Sequence, residues 1–301
     1  MRFAILADLH GNLPALEAVL DDIQACHVDG LLVVGDMVTG GPFPVETLRL
    51  LRSLGVVMIR GNTDTYLVDY RSGIAPDVWH TAAQWAPLRW TYAQLDLEAL
   101  AFLSALPEQQ VIALPGAAPV RMVHGSLDKS NGVLVPDQAA VVRKFRDARF
   151  FSEDEALPSL TEDLNSLAEA VLICGHTHIA WQASHNGWLA LNPGSTGNAI
   201  DGNVGAEYAW LTWDGARWQA ELRCIPYDLD RLRAAFHERG VLDAGGPMAR
   251  AFLRNAETGQ NTAWFLIQHA AALAKEAGLT EFAAFPDDLW ARAAETFDWE
   301  S

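Results

Sequence analysis

The chain is poor in the residues that would commit it to a secreted, membrane-spanning or nucleic-acid-binding class. It has three cysteines, Cys26, Cys174 and Cys224, in 301 residues. The number is odd and no CxxC pair occurs, so neither a disulfide framework nor a thiolate zinc site is encoded. The three read as reduced thiols of a cytoplasmic protein. Positive charge is also scarce: 21 Lys and Arg stand against 38 Asp and Glu, a formal net charge of -17. Proteins that grip a phosphate backbone usually carry a basic face, so this balance argues against a general nucleic-acid binder. No apolar run approaches the roughly 20 residues needed to span a bilayer. Met1 leads straight into an apolar strand, which leaves no room for a signal peptide. Internal repeats and low-complexity linkers are missing as well. The expectation is a soluble cytoplasmic protein without membrane contact, built as one large domain or as a domain with an appendage.

What the chain does have is a series of short apolar runs that each end in a polar residue. Phe3–Ala7 ends in Asp8-Leu9-His10-Gly11, and Leu31–Val34 ends in Gly35-Asp36. Val56–Ile59 ends in Arg60-Gly61-Asn62-Thr63-Asp64, Val120–Val123 in His124-Gly125, and Val171–Cys174 in Gly175-His176-Thr177-His178. Runs of this length with these flanks read as buried strands. Between the first three, Leu13, Leu16 and Ile23, then Val45, Leu48 and Leu51, recur at helical spacing. Strand–helix alternation of this kind predicts a parallel α/β sheet.

Residues 66–106 form a mostly helical excursion rich in aromatics, including Tyr66, Tyr70, Trp79, Trp85, Trp90 and Tyr92. Those rings either pack on the sheet or face a substrate. A basic stretch, Lys129 to Arg149, precedes the strand at 171. Beyond it the pattern turns antiparallel, with hairpin signals at Asn186-Gly187 and Asp214-Gly215 around a tight Asn192-Pro193-Gly194-Ser195 loop. From Tyr227 the chain reads as helical: one helix stopping at Gly240, then others around 260–277 and 286–297. Residues 1–227 are expected to form the main domain and 228–301 a C-terminal helical appendage.

The residues that close the apolar runs are Asp8, His10, Asp36, Asn62, His124, His176 and His178. Any one of them alone is ordinarily a turn residue, a helix cap or a satisfied polar group. Five strands delivering hard or borderline metal ligands at one end are a different matter, because open α/β sheets present their chemistry at the carboxyl ends of strands. A local cation site can also reverse the sign of the field on an acidic protein and hold a small anionic substrate.

With these motifs in their order, the sequence resembles the calcineurin-like metallophosphoesterases. Asp8-Leu9-His10, Gly35-Asp36, Gly61-Asn62, Val123-His124-Gly125 and Gly175-His176-Thr177-His178 carry the resemblance, which covers roughly residues 1–226. The stretch from Asp8 to Leu16 and the Asn192–Ser195 loop further resemble the compact bacterial branch of small phosphoesterases. The resemblance implies an α/β four-layer αββα sandwich of two mixed β-sheets flanked by helices, here with a C-terminal helical extension. It also implies two divalent transition metal ions, one held by Asp8, His10, Asp36 and His178, the other by Asp36, Asn62, His124 and His176. Asp36, as a two-oxygen group, would bridge them. Mixed oxygen and imidazole ligation suits Mn, Fe, Zn or Ni alike.

The implied activity is hydrolysis of a phosphodiester or phosphomonoester by in-line attack of a hydroxide bridging the two ions, with Asp36, Asn62 and His124 at the catalytic centre. A non-catalytic protein-binding scaffold of the same fold and a nuclease are the alternatives. A scaffold tends to lose ligands, and this chain retains all of them; the acidic balance weighs against nucleic acid. Asn12, Thr63 and Asp64 flank the ligands as candidates for substrate contact or for orienting them, Asn12 reading equally as a turn residue and Asp64 as a helix cap. Many family members have His where this chain has Thr63, and Thr is no general acid near neutral pH. Good leaving groups are therefore expected, unless His80 or another residue of the excursion supplies the proton. The expected partner is a small phosphorylated substrate, with a homo-oligomer through the C-terminal helices left open.

Overall fold

The computed structural model describes residues 1–165, 167–279 and 283–300. Ten strands fall into two five-stranded sheets. The first half supplies β1 (Arg2–Leu6), α1 (Leu13–Gln24), β2 (Gly30–Val33), α2 (Pro44–Ser53) and β3 (Val57–Met58). The excursion follows as α3 (Asn62–Ser72), α4 (Asp77–Thr81), a 3₁₀ turn at Ala83–Trp85, α5 (Ala86–Gln94) and α6 (Leu97–Ala105). Then come β4 (Gln109–Ile112), β5 (Val120–Val123), α7 (Ala139–Asp147), α8 (Leu160–Asn165), β6 (Val171–Ile173), β7 (Trp181–His185) and β8 (Trp188–Asn192). Strands β9 (Ala206–Trp213) and β10 (Trp218–Ile225) precede the tail: α9 (Leu229–Glu238), α10 (Val241–Thr258), α11 (Thr262–Glu276) and α12 (Asp287–Thr296).

The sheet orders are β10-β9-β1-β2-β3 and β4-β5-β6-β8-β7. In the first, β1, β2 and β3 run parallel and β9 joins β1 antiparallel. In the second, β5, β6 and β8 run parallel while β4 and β7 are antiparallel edges. Both hairpin signals form as read: Asn186 and Gly187, both left-handed, turn β7 into β8, and Asp214-Gly215 lies between β9 and β10.

Alternation along the strands accounts for four layers. Phe3, Ile5 and Ala7 point into a core between the sheets, with Val34, Met122, Ile173 and Leu191. Ala4 and Leu6, on the opposite face, pack with Leu16, Leu48, Leu67 and Leu100 beneath the first helical layer. Leu172 and Cys174 do the same on the second sheet with Phe145 and Trp181. A strand buried on both faces must be apolar throughout, which is why these runs are continuous rather than alternating. The α/β four-layer αββα sandwich of two mixed sheets with a C-terminal helical extension is the observed architecture.

The tail is more regular than its sequence suggests. No helix is expected between Gly240 and residue 260, yet α10 fills Val241–Thr258 in two segments joined at the non-helical Gly246 (φ 59, ψ -145). Pro247 then opens the second helical segment, where its missing N–H costs little. Side-chain packing ties the tail to both halves of the sandwich. Gly245 of α10 lies beside Pro87 of α5, and Ala83 and Trp90 join the tail's apolar clusters. Trp264 and Gln268 donate to the Arg149 carbonyl at 2.9 and 3.2 Å, and Asn261 donates to that of Ala148 at 3.1 Å. Among the described residues, no helix is long and apolar enough to cross a membrane.

These contacts predict that tail and sandwich unfold together. Denaturation followed by tryptophan fluorescence should show one transition. Replacing the buried Trp290 of α12 by alanine should lower its free energy by about 3–5 kcal/mol. A separate early transition absorbing that whole loss would mark α9–α12 as an independent unit.

Candidate metal centre

All seven candidate ligands gather at one edge of the sandwich, where the parallel strands of both sheets end. Asp8 and His10 follow β1, Asp36 follows β2, Asn62 opens α3 after β3, His124 follows β5, and His176 and His178 follow β6. The loops that carry them are laced together by their backbones. Asp8 N donates to Gly35 O (3.1 Å), His10 N to Asp36 O (2.9 Å), and Gly175 N to His124 O (2.7 Å). Asp8 spans the two sheets, because its Oδ2 accepts the backbone N–H of His176 at 2.9 Å.

Five of the candidates, Asp8, His10, Asp36, His176 and His178, have positive φ between 48° and 67°. Only two other non-glycine residues among the described ones, Arg149 and Asn186, share that conformation. L-residues rarely adopt it, at a cost of about 1–2 kcal/mol each, and such strain collects where a function requires it. The same crowding explains the neighbouring glycines: a methyl at Gly61 would overlap Asp36 Oδ1, and one at Gly197 would overlap the Leu9 carbonyl.

Three imidazoles are oriented alike. Nδ1 of His10, His124 and His178 faces the carbonyls of Thr39 (2.6 Å), Val34 (2.6 Å) and Asn198 (2.7 Å). A proton on each Nδ1 donates to that carbonyl and leaves the Nε2 lone pair pointing inward, the usual way a metal-ligating histidine is set. His10 Nε2 and His178 Nε2 lie 3.0 Å apart, and Asp8 Oδ1 is 3.4 Å from His178 Nε2 and 3.9 Å from His10 Nε2. On the other side, Asp36 Oδ2 is 3.4 Å from His124 Nε2. Asn62 Oδ1 is 3.1 Å from His124 Nε2 and 2.8 Å from His176 Nδ1.

Asp8, His10 and His178 form one group able to hold a cation, and Asp8, Asp36 and His124 another. The oxygens of Asp36 differ in role. Oδ1 accepts the Thr63 N–H at 2.8 Å, while Oδ2 faces both His10 (3.8 Å) and His124 (3.4 Å). Asp8 Oδ1 is buried with no hydrogen-bond partner. A buried carboxylate oxygen without a hydrogen-bond partner, with three imidazole nitrogens within 4 Å, suits a divalent cation, so the donor set fits the implied metals.

The electrostatics agree. Burial disfavours ionised Asp36, yet His124, His10 and His176 hold its carboxyl far below the usual range. Burial likewise opposes an imidazolium at His124, but Asp36 and Asp8 outweigh it and raise that group to about 10. Burial and the charge of His124 push His176 down to about 4. Burial and His178 lower His10. Protons on imidazole thus balance the buried carboxylates in the metal-free protein.

The flanking candidates separate. Asn12 caps α1 by accepting from Ala15 N (3.1 Å) and donates to Gly197 O (2.8 Å), a structural tie between two site loops. Asp64 is wholly buried, caps α3 through Gly61 N and accepts from Met37 N, both at 3.1 Å. It therefore braces both the Asp36 and the Asn62 loops, and burial together with Asp36 pushes it up to about 7. Thr63 Oγ1 is buried without a partner. His80 is exposed and meets the Tyr70 ring at a tilt of 33°, ring centroids 4.2 Å apart.

The Asn192–Ser195 loop supports the site, together with Asn198 and Glu207, which a reading of the sequence misses. Ser195 Oγ donates to Asp8 O (2.7 Å), and Asn198 presents the carbonyl that orients His178. Under their loop lies Glu207, which accepts from Ser195 N and which burial and Asp201 push up to about 8. The tail also reaches the site: Leu232, Phe236, Phe252 and Ala256 wall a narrow crevice beside His10 and Asn198. The basic stretch, by contrast, is spent on neighbours. Arg143 pairs with Asp147 (2.8 Å), Lys144 with Asp201 (2.6 Å), and Arg149 lies over Phe265.

If the seven residues bind a cation, uptake must displace the His124 proton. Calorimetric titration at pH 7 in buffers of different ionisation enthalpy should show release of about one proton per centre filled. Below the raised pKa of His124 a proton competes for its lone pair, so apparent affinity should rise with pH toward 10. Enthalpies independent of buffer would contradict this account.

Residues 1–215 match the model of the calcineurin-like phosphoesterase superfamily domain. An uncharacterized protein of Methanocaldococcus jannaschii is 25% identical over 243 residues, 76% of this chain and 88% of its own length. The crystal structure of a metallophosphoesterase from Sphaerobacter thermophilus superposes with a TM-score of 0.64 at 25% identity, covering 86% of this chain and 99% of that one. The symmetrical bis(5'-nucleosyl)-tetraphosphatase of Erwinia tasmaniensis is 37% identical over a shorter stretch of 77 residues, 25% of this chain and 28% of that enzyme.

Proposed function

The chain belongs to the calcineurin-like phosphoesterase superfamily, and from that premise we propose that it is a metal-dependent hydrolase of a small phosphodiester or phosphomonoester. Its centre is formed by Asp8, His10, Asp36, Asn62, His124, His176 and His178. The observation that carries the reading is the convergence of the Asp36 carboxylate and three imidazoles, His10, His124 and His178, near a buried carboxylate oxygen, Asp8 Oδ1, that has no hydrogen-bond partner.

Two divalent ions, when bound, supply positive charge for the phosphoryl oxygens and acidify a water. The protein's own part is positional. Carbonyl contacts at Nδ1 fix His10, His124 and His178 with Nε2 inward. Asp36 presents Oδ2 to both imidazole groups because Thr63 N holds Oδ1. Asp64 pins the two loops on which Asp36 and Asn62 stand. An anionic substrate is thereby drawn to one local site on an acidic protein.

The leaving group receives less help. Thr63 stands beside Asn62 where an imidazole would serve as acid, and His80 is engaged with Tyr70. The substrate class that fits has a leaving group stable as an anion: an aryl ester, or a phosphoanhydride of the kind named for the Erwinia enzyme.

The test joins elemental analysis with hydrolysis of bis-p-nitrophenyl phosphate and p-nitrophenyl phosphate under added Mn. About two transition metal ions per chain are expected, with turnover lost in Asp36→Ala. Rates across substituted aryl phosphates should fall steeply as leaving-group pKa rises; a flat dependence would mean that the chain has an acid after all. Protein that takes up no ion and turns over neither ester would instead be a scaffold.

A further inference from the structure

The carbonyl that orients His10 belongs to Thr39 and lies 2.6 Å from its Nδ1. It stands in the irregular segment between β2 and α2, where Gly40, Gly41, Pro42 and Phe43 follow it. Two successive glycines lose more backbone freedom on ordering than any other pair, so this segment does not hold its own shape. Both are required there. Gly40 has a φ of 114°, and a methyl at Gly41 would overlap the His10 carbonyl. Within the sandwich the segment is tied to the His10 turn by Gly11 N donating to Met37 O (2.9 Å) and Phe43 N to Gly11 O (3.0 Å).

The rest of the hold comes from the tail. The Phe43 ring is buried in one cluster with Leu13 of α1 and Ala235 of α9. The guanidinium of Arg239, just past α9, lies 4.3 Å from the ring centroid, and that of Arg231 lies 5.6 Å from it. Arg239 Nη1 also donates to the Pro42 carbonyl at 3.2 Å and pairs with Glu46 of α2 at 2.7 Å. Arg231 pairs with Glu17 of α1. Helix α9 is thereby fastened on both sides of His10: to α1, which follows His10, and to the start of α2, which follows Thr39.

We propose that α9 positions His10: Arg231 and Arg239, closing on Phe43 from the tail, hold the Thr39 carbonyl where it aims Nε2 of His10 at the cation site. This inference rests on the proposed centre and concerns the group formed by Asp8, His10 and His178. It gives the C-terminal helices a part in metal binding without their supplying a ligand.

The test reads metal affinity and site geometry rather than turnover. Both arginines stand partly in solvent, so Arg231→Met combined with Arg239→Met keeps the stems and removes the guanidiniums. Titration of the metal-free full chain with Mn, followed by calorimetry well below the thermal midpoint, should show one binding event weakened at least about threefold, the scale of two exposed cation–π contacts. With Co as the probe, the visible ligand-field band should shift, because the geometry at one ion has changed. Arg250→Met is the matched control. It removes a guanidinium 4.0 Å from the Trp299 ring, also in the tail but on another partner, and should leave both readouts native. Native affinity and a native cobalt band in the double variant would overturn the inference. An affinity loss with an unmoved band, or an equal loss in Arg250→Met, would overturn it too, since the tail would then support the fold and not the ligand. A native chain that takes up no Mn would instead bring down the proposed centre, and this inference with it.

Discussion

Asp8 and Asp36 are withdrawn from water side by side, and much of the molecule answers to that one electrostatic demand. A buried carboxylate keeps its charge only when N–H donors or opposite charges meet it. His176 N and Thr63 N each satisfy one oxygen. The remaining oxygens face three imidazoles drawn from both sheets, and Asp8 Oδ1 still lacks a hydrogen-bond donor. A single sheet could not bring these groups together. The sandwich can, because its two sets of parallel strands end at the same edge and the loops there exchange backbone hydrogen bonds.

The layers were legible because both faces of the central strands are buried. Phe3 to Ala7 is apolar at every position since alternate residues enter different cores. The ligands were legible for a related reason: a polar residue that abruptly ends such a run is conspicuous. Local turn chemistry was readable too, as at Asn186-Gly187.

What stayed hidden depends on contacts between residues far apart in the chain. Helix α10 is masked by Gly245-Gly246-Pro247, and the chain does leave helical geometry at Gly246 before Pro247 opens the second segment. Strand β3 keeps only Val57 and Met58 of its apolar run. Asn198 and Val34 act through backbone carbonyls, which no side-chain pattern encodes. Glu207 lies beneath the loop it braces, although a glutamate in a hairpin strand would ordinarily read as exposed. The unequal oxygens of Asp36 are likewise invisible until Thr63 N is seen to take one of them.

The left-handed backbone at Asp8, His10, Asp36, His176 and His178 bears on how this chain changes over generations. At each of these positions glycine would relax the main chain, and at the two aspartates it would also remove buried charge. Against that gain, glycine at Asp8 or Asp36 would leave the N–H of His176 or Thr63 and the charge of His124 without a partner. Proteins drift toward whatever is tolerated above their folding threshold. Five side chains kept on left-handed backbone at one edge of the sandwich mark a place where the demand of the site opposes the preference of the main chain.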